Sequence, residues 1–105
     1  MLLRFSKQVI KDIKKESPAI REKLALLLDQ LAKGVVLSPP VSKNMGIESL
    51  QELRLKDDKG IVRVFYVIVK KDGIYILHLL RKKTQKTPRK DIELALKRFK
   101  NMKGW

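Results

Sequence analysis

Cysteine is absent from the 105 residues, so the chain has no disulfide framework, no thiolate metal site and no cysteine nucleophile. Histidine occurs once, as His78, and no carboxylates pair at ligand spacing, which argues against an all-protein zinc site. No apolar run approaches the length of a membrane span. The opening segment MLLRFSKQVIKD meets charge after three apolar residues, the pattern of neither a signal peptide nor an anchor. A cytoplasmic protein with no membrane partner is expected. Glycine-rich phosphate loops, Walker patterns and a Ser-His-Asp order are all missing, as are internal repeats and low-complexity tracts.

Acidic residues are the other scarce class. Eleven Asp and Glu stand against 25 Lys and Arg, a formal net charge of +14 at pH 7. The excess is uneven: residues 81–105 hold ten Lys and Arg against two Asp and Glu. Such a field attracts a phosphate backbone, an anionic lipid or an acidic protein. Hydrophobic residues make up 44% of the chain in clear periodicity, so residues 1–105 read as one globular domain.

The elements follow from spacing and caps. Ser6 starts a short helix with Phe5, Val9 and Ile13 on one face. Ser17-Pro18 starts a second, in which Ile20, Leu24, Leu27, Leu28 and Leu31 form a broad apolar stripe that stops at Gly34. Residues 35–50, with Pro39-Pro40, Asn44 and Gly46, read as a loop. Leu50–Lys56 alternates, Leu53 and Leu55 opposing Glu52, Arg54 and Lys56, which predicts a strand with one wet face. Two β-branched and aromatic runs follow, Ile61–Val69 and Ile74–Leu80, joined by Lys70-Lys71-Asp72-Gly73 in the manner of a hairpin. In the first run Arg63, Phe65, Val67 and Val69 share a face; in the second, Ile74, Ile76, His78 and Leu80 do. Thr87-Pro88 reads as a cap and first position of a third helix, with Ile92, Ala95, Leu96 and Phe99 inward. The expected order is α-α-β-β-β-α, an α+β fold.

Cations are the leading candidates for chemistry. Antiparallel pairing sets Arg63, near the start of its strand, beside the Arg81-Lys82-Lys83 segment at the end of the next, with Arg54 on the preceding strand. Cations gathered in a small area repel one another unless an anion sits among them. Arginine offers a phosphate a bidentate contact and lysine a point charge. Together they are suited to positioning an RNA backbone and to stabilising the charge that develops during attack by a 2′-hydroxyl. His78 is the conventional general base near neutral pH, yet its alternation with Ile76 and Leu80 better fits an imidazole packed against the sheet and hydrogen-bonded. Tyr75 fits either a base-stacking platform or the core, and Tyr66 the core. Lys43 stands alone in the loop. Glu52 and Asp57-Asp58 occupy ordinary places beside a strand and a turn. The residues by themselves describe a small basic α/β domain that binds RNA or an acidic partner.

Three segments, LQELRLKDDKGIVRVFYVIVKKDGIYILHLL, RKKTQKTP and DIELALKRFK, together resemble the phage-related HigB branch of the RelE superfamily, the toxins of type II toxin–antitoxin pairs. The likeness spans essentially the whole chain. It implies a RelE-like, microbial-RNase-type fold: two N-terminal helices, a small, mainly antiparallel twisted sheet and a C-terminal helix. It also implies an endoribonuclease, an mRNA interferase that cuts mRNA on the ribosome with no metal or other cofactor and so inhibits translation. The implied partners are mRNA, the ribosome and a HigA-like helix-turn-helix antitoxin, with operator DNA reached only through the antitoxin complex. In the resemblance Arg63 matches the arginine that contacts the scissile phosphate and Arg54 a basic position on the preceding strand. Lys82 and Lys83 match the cationic segment after the last strand, with Thr84 and Lys86 in the same motif and Lys43 before the first strand. Arg63, Arg54, Lys82, Lys83 and His78 are thus the catalytic candidates. Arg81, Thr84, Lys86, Lys43 and Tyr75 are the RNA-binding ones. Leu79 and Leu80 depart from the glycine and phenylalanine common in relatives. A non-catalytic nucleic-acid-binding module, or a co-repressor acting with an antitoxin, are the alternatives.

Overall fold

Ser6 and Ser17 each accept a hydrogen bond from the backbone N–H three residues on, Val9 at 3.2 Å and Ile20 at 3.3 Å. Each satisfies a donor that the first helical turn leaves open, and so starts a helix. In the computed structural model, which describes residues 1–82 and 87–104, the order is β1 (Leu3–Phe5), α1 (Lys7–Lys14), α2 (Pro18–Ala32), β2 (Ser42–Asn44), β3 (Gln51–Asp57), β4 (Gly60–Val69), β5 (Gly73–Lys82) and α3 (Arg89–Lys103). The three longer strands and three helices are those expected from the sequence. Two short edge strands, β1 and β2, are additional.

The strands form one sheet in the order β1-β5-β4-β3-β2, antiparallel throughout except for the parallel pair β1 and β5. Helices cover both faces, which is why β4 and β5 carry apolar residues on both sides. Leu53, Leu55, Val62, Val64, Tyr66, Ile74 and Ile76 bury against Val9 of α1 and Ile20, Leu24, Leu28 and Leu31 of α2. On the other face Phe65, Val67, Tyr75 and Leu77 bury against Ala95 and Phe99 of α3.

One irregularity changes which residues share a face. Phe65 pairs with His78 but Tyr66 pairs with Ile76, so Leu77 is an extra residue in β5. This bulge reverses the alternation beyond it. His78 and Leu80 therefore do not lie with Ile74 and Ile76 as the spacing predicts. Leu79 joins the α1–α2 cluster instead, and Leu80 packs on the α3 side. The Leu77 carbonyl accepts from Ser6 Oγ at 2.9 Å and from Arg98 Nη1 at 3.1 Å, so both helical layers fasten to the bulge.

The start of α3 also differs from expectation. Its N-cap is Pro88, without a side-chain cap, and the helix begins at Arg89. The Thr87 hydroxyl is spent elsewhere, as described below.

Gly73 opens β5 at φ +154 and lies against β1: a Cβ there would sit 2.8 Å from the Leu2 carbonyl oxygen and 3.2 Å from Arg4 Nε. Backbone cannot yield as a side-chain tip can. Gly73→Ala is expected to lose roughly 1–3 kcal/mol of stability from strain and displaced β1 pairing. Urea unfolding checks this, and an unchanged midpoint would contradict it.

Candidate nucleic-acid interface

The strand register aligns three rows of residues across the sheet. Lys43, Glu52, Phe65 and His78 form one, Arg54, Arg63 and Leu80 the next, and Lys56, Ile61 and Lys82 the last. Phe65 of the first row belongs to the cluster that α3 covers. The cationic rows extend past it towards the end of β5.

Glu52 organises this region. Its carboxylate is fully buried. Oε1 accepts from Arg54 Nε at 2.7 Å and from Arg63 Nη1 at 2.9 Å, and Oε2 accepts from Thr87 Oγ1 at 2.8 Å. Arg54 and Arg63 are directly opposed on neighbouring strands, a pairing that repels unless a carboxylate is shared between them. Desolvating one carboxylate costs several kcal/mol, which only close, hydrogen-bonded counter-charges offset. Two guanidiniums around one carboxylate leave one positive charge in excess, and the residue able to present it is Arg54. Its side chain is 25% exposed, whereas that of Arg63 is 0% exposed.

The placement revises several roles inferred from the sequence. Arg63 is sealed in the interior against Glu52, so in this conformation it supports the site and does not reach a phosphate. Glu52, assigned no role from the sequence, is the hub. The supposed wet face of β3 is graded: Lys56 is exposed, Arg54 partly so and Glu52 not at all. A buried carboxylate between two arginines has no signature in alternation, although the spacing Glu-Leu-Arg puts Glu52 and Arg54 on one face.

His78 is also enclosed. Its ring stacks on Phe65 with centroids 5.8 Å apart and an 11° interplanar angle. Nε2 lies 2.8 Å from Asp91 Oδ1, and Nδ1 lies 3.1 Å from Arg98 Nη1. Arginine only donates, so Nδ1 accepts and the ring proton sits on Nε2, directed at Asp91. With both nitrogens engaged, His78 ties β5 to α3 and is not presented to a substrate as a general base.

Arg81 faces the opposite side of the sheet from Arg63. It donates to both oxygens of Asp57, at 2.8 and 2.7 Å, and to Glu16 at 2.7 Å, an ionic clamp rather than a free RNA contact. Those carboxylates hold its guanidinium well above the ordinary arginine range, the Asp57 hydrogen bonds foremost. The same bonds draw Asp57 down to about 2.

Tyr75 is buried at the start of β5, edge-on to Phe99 at 5.2 Å. Its hydroxyl donates to Asp72 at 2.6 Å, and the Arg4 and Lys103 cations lie 5.9 and 5.7 Å from the ring centre. The Asp72 hydrogen bond pushes the phenol up, while Lys103 and then Tyr75 pull Asp72 down. Of the two readings open for Tyr75, its burial against Phe99 is that of a core residue.

Lys43 is exposed on β2, level with Glu52 across the ladder. Lys82 occupies the ladder position opposite Ile61. Lys83, Thr84 and Lys86 lie outside the described residues. Among the described residues, no three His, Asp or Glu side chains form a group able to hold a metal ion.

A family model described as phage derived protein Gp49-like matches residues 11–100. The structure of a mutant E. coli toxin RelE in the free state matches with a TM-score of 0.66 and 19% identity, covering 92% of this chain and 95% of that one. No curated protein matches the sequence. At that identity the likeness establishes the fold, and it bears out the RelE-like α+β architecture.

The Arg81 clamp has a pH signature. Asp57 is depressed in the folded state, so its contribution is complete above the unfolded carboxylate range, near pH 4, and disappears as pH falls through about 2. Asp57→Asn should therefore lose less stability than the wild type between about pH 4 and pH 2. Chemical denaturation across that window measures it, and parallel losses would contradict the assignment.

Proposed function

The chain belongs to the phage-derived Gp49-like family, matched over residues 11–100, and on that footing we propose that it is the toxin of a toxin–antitoxin pair, acting as an endoribonuclease on mRNA. The observation that carries the reading is the Glu52 cluster. It fixes two guanidiniums in place, exposes one of them, and stands beside Lys43 and Lys56 on a face that α3 leaves partly open.

The chemistry follows from that arrangement. When a ribose 2′-hydroxyl attacks the adjacent phosphorus, negative charge grows on the non-bridging oxygens. Donors already in position stabilise that charge without reorganising at the moment of reaction. Arg54 is held through Nε, which leaves both of its Nη groups to take a phosphate in the bidentate manner. Lys43, Lys56 and Lys82 supply the surrounding field, and Lys83, Thr84 and Lys86 follow Lys82 in the same basic segment. As the 2′-oxygen bonds to phosphorus the P–O5′ bond breaks. The 2′-hydroxyl proton passes to solvent, the leaving 5′-oxygen takes one from it, and the products are a 2′,3′-cyclic phosphate and a 5′-hydroxyl end. Arg63 contributes by holding Glu52, and so by fixing Arg54. His78 and Asp91 contribute by docking α3 against β5.

A field of +14 on a small domain favours substrates crowded with phosphate. An mRNA on the translating ribosome is such a substrate and sets the cytoplasm as the place of action. The partner that silences the toxin is a helix-turn-helix antitoxin, whose complex with the toxin carries any contact with operator DNA.

Arg54→Ala tests the reading better than Arg63→Ala: each removes a partner of Glu52, but Arg63 is fully buried and its loss also empties part of the interior, whereas Arg54 is partly exposed. The Arg54 variant should keep its fold by circular dichroism while losing on the order of 10²-fold in cleavage. Mapping mRNA ends after induction reads this directly. Undiminished cleavage by the folded variant would reject the proposed role.

A further inference from the structure

We infer that the free edge of β4 at Val67, Ile68 and Val69 docks an extended, acidic segment of a partner protein by adding it to the sheet as a strand. β5 pairs with β4 as far as Val69, which stands opposite Gly73. β3 stops earlier, with Gln51 opposite Tyr66. The last three residues of β4 thus have a neighbouring strand on one side only. The ladder fixes where their backbone groups point, because successive residues aim N–H and C=O to opposite sides. The Val69 carbonyl turns towards β5 and accepts from the Asp72 N–H at 3.0 Å. Ile74, the residue across from Ile68, sends its N–H the other way, to the Leu2 carbonyl at 2.8 Å. The N–H and C=O of Ile68 therefore point outward, and among the described residues no strand meets them.

The chain entering β3 bends away from this edge. Glu48 and Ser49 both hold left-handed backbone, at φ 43° and 65°, a conformation unfavourable for residues with a Cβ. The hydrogen bonds of this loop close on the loop itself: the Leu50 N–H donates to the Ile47 carbonyl at 2.8 Å, and the Leu50 carbonyl accepts from the Met45 N–H at 2.9 Å. Two cavities open at the edge so exposed, one on each face of the sheet. The first, of about 390 Å³, is lined by Val67, Val69, Leu96 and Phe99 on the α3 side; the second, of about 270 Å³, by Leu31, Val36, Leu37 and Tyr66 on the α2 side. Ile68 and Lys70 line both. Side chains along a strand point alternately to the two faces. A strand added here sets consecutive apolar side chains into opposite cavities while its backbone pairs with Ile68. It also covers Val36, which is 89% exposed.

Charge selects the occupant. Lys70, Lys71 and Lys100 are exposed; Lys70 lines both cavities and Lys100 the first, where Glu48 is the only carboxylate. A second copy of this chain would bring the same lysines and a further +14 to the edge, and would be repelled. RNA answers the lysines, but it has no side chains alternating between two faces and no peptide groups to pair with Ile68. An extended acidic segment with an apolar centre meets the lysines, the cavities and the open backbone together. This edge lies outside the Glu52 cluster and takes no part in the proposed cleavage.

The test uses the full chain and a fluorescein-labelled peptide of three valines flanked at each end by two glutamates, with binding followed by anisotropy and by amide hydrogen exchange. Saturating peptide should slow exchange of the Ile68 amide by about tenfold or more. The same peptide with lysines for glutamates should bind at least about tenfold more weakly. Lys70→Glu should weaken the acidic peptide about five- to tenfold, and Lys59→Gln, in the turn at the other end of β4, less than about twofold. N-methylation separates strand addition from simple attraction. Methylating the central valine amide, or instead those of its two valine neighbours, should abolish binding in one case and leave it within about twofold in the other. No binding at millimolar peptide, an Ile68 amide that bound peptide does not protect, or equal losses from both methylation patterns would overturn the docking edge. Dimers of the free chain that protect Ile68 would overturn it in favour of a second copy. Protection of Ile68 by oligo-U alone, with displacement of the peptide, would overturn it in favour of RNA.

Discussion

One carboxylate with no access to water governs the arrangement of charge in this molecule. Glu52 is held by Arg54, Arg63 and Thr87, so β3, β4 and the residue preceding the α3 cap meet at a single group. The arrangement resolves a conflict built into the register, where two arginines face each other across adjacent strands. Without the shared anion they would repel; with it they are pinned, and one is left partly in solvent. A flexible surface arginine loses side-chain entropy when it closes on a phosphate. Arg54 has already lost much of that freedom on folding, which is the preorganisation the proposed cleavage draws on.

The two faces of the sheet divide the work. On the α1–α2 side the interior is apolar, and Arg81 seals its margin through Glu16 and Asp57. On the α3 side a smaller apolar cluster gives way to buried polar groups, His78 with Asp91 and Arg98, and then to Glu52 with its arginines. The bulge at Leu77 makes the division possible. By turning His78 towards α3 and Arg81 away from it, the bulge separates an imidazole that docks a helix from a guanidinium that closes the opposite face. Positive charge is thus distributed according to which cations have carboxylates. Arg63 and Arg81 are paired with carboxylates in the structure, while Lys43, Lys56 and part of Arg54 face solvent.

Long periodic elements were legible from the chain itself. The stripe from Ile20 to Leu31 and the β-branched runs around the Asp72-Gly73 turn place α2, β4 and β5 with little ambiguity, because burial on defined faces enforces those periods. The three-residue strands β1 and β2 were not legible, since three residues show no period and their existence depends on long-range partners. A single inserted residue in β5 was equally invisible. Its consequence was large, because every face assignment after Leu77 inverts. The basic character of the site could be read from composition and from the placement of Arg54 and Arg63. Which cation is exposed could not, because burial of Arg63 and Glu52 follows from cross-strand pairing and from Thr87 returning to the sheet. The same holds for Tyr75, whose residue type favours a core without excluding stacking on a base.

The most direct measurement of the central claim is a double-mutant cycle on stability, pairing Glu52→Gln with Arg63→Met. If the buried carboxylate and guanidinium hold each other, each single variant strands a buried polar partner and loses about 3 kcal/mol or more. The double variant should then recover a large part of that loss, with a coupling above about 1.5 kcal/mol. Strict additivity of the two losses would show that Glu52 does not organise the arginines, and the account of the site built on it would fall.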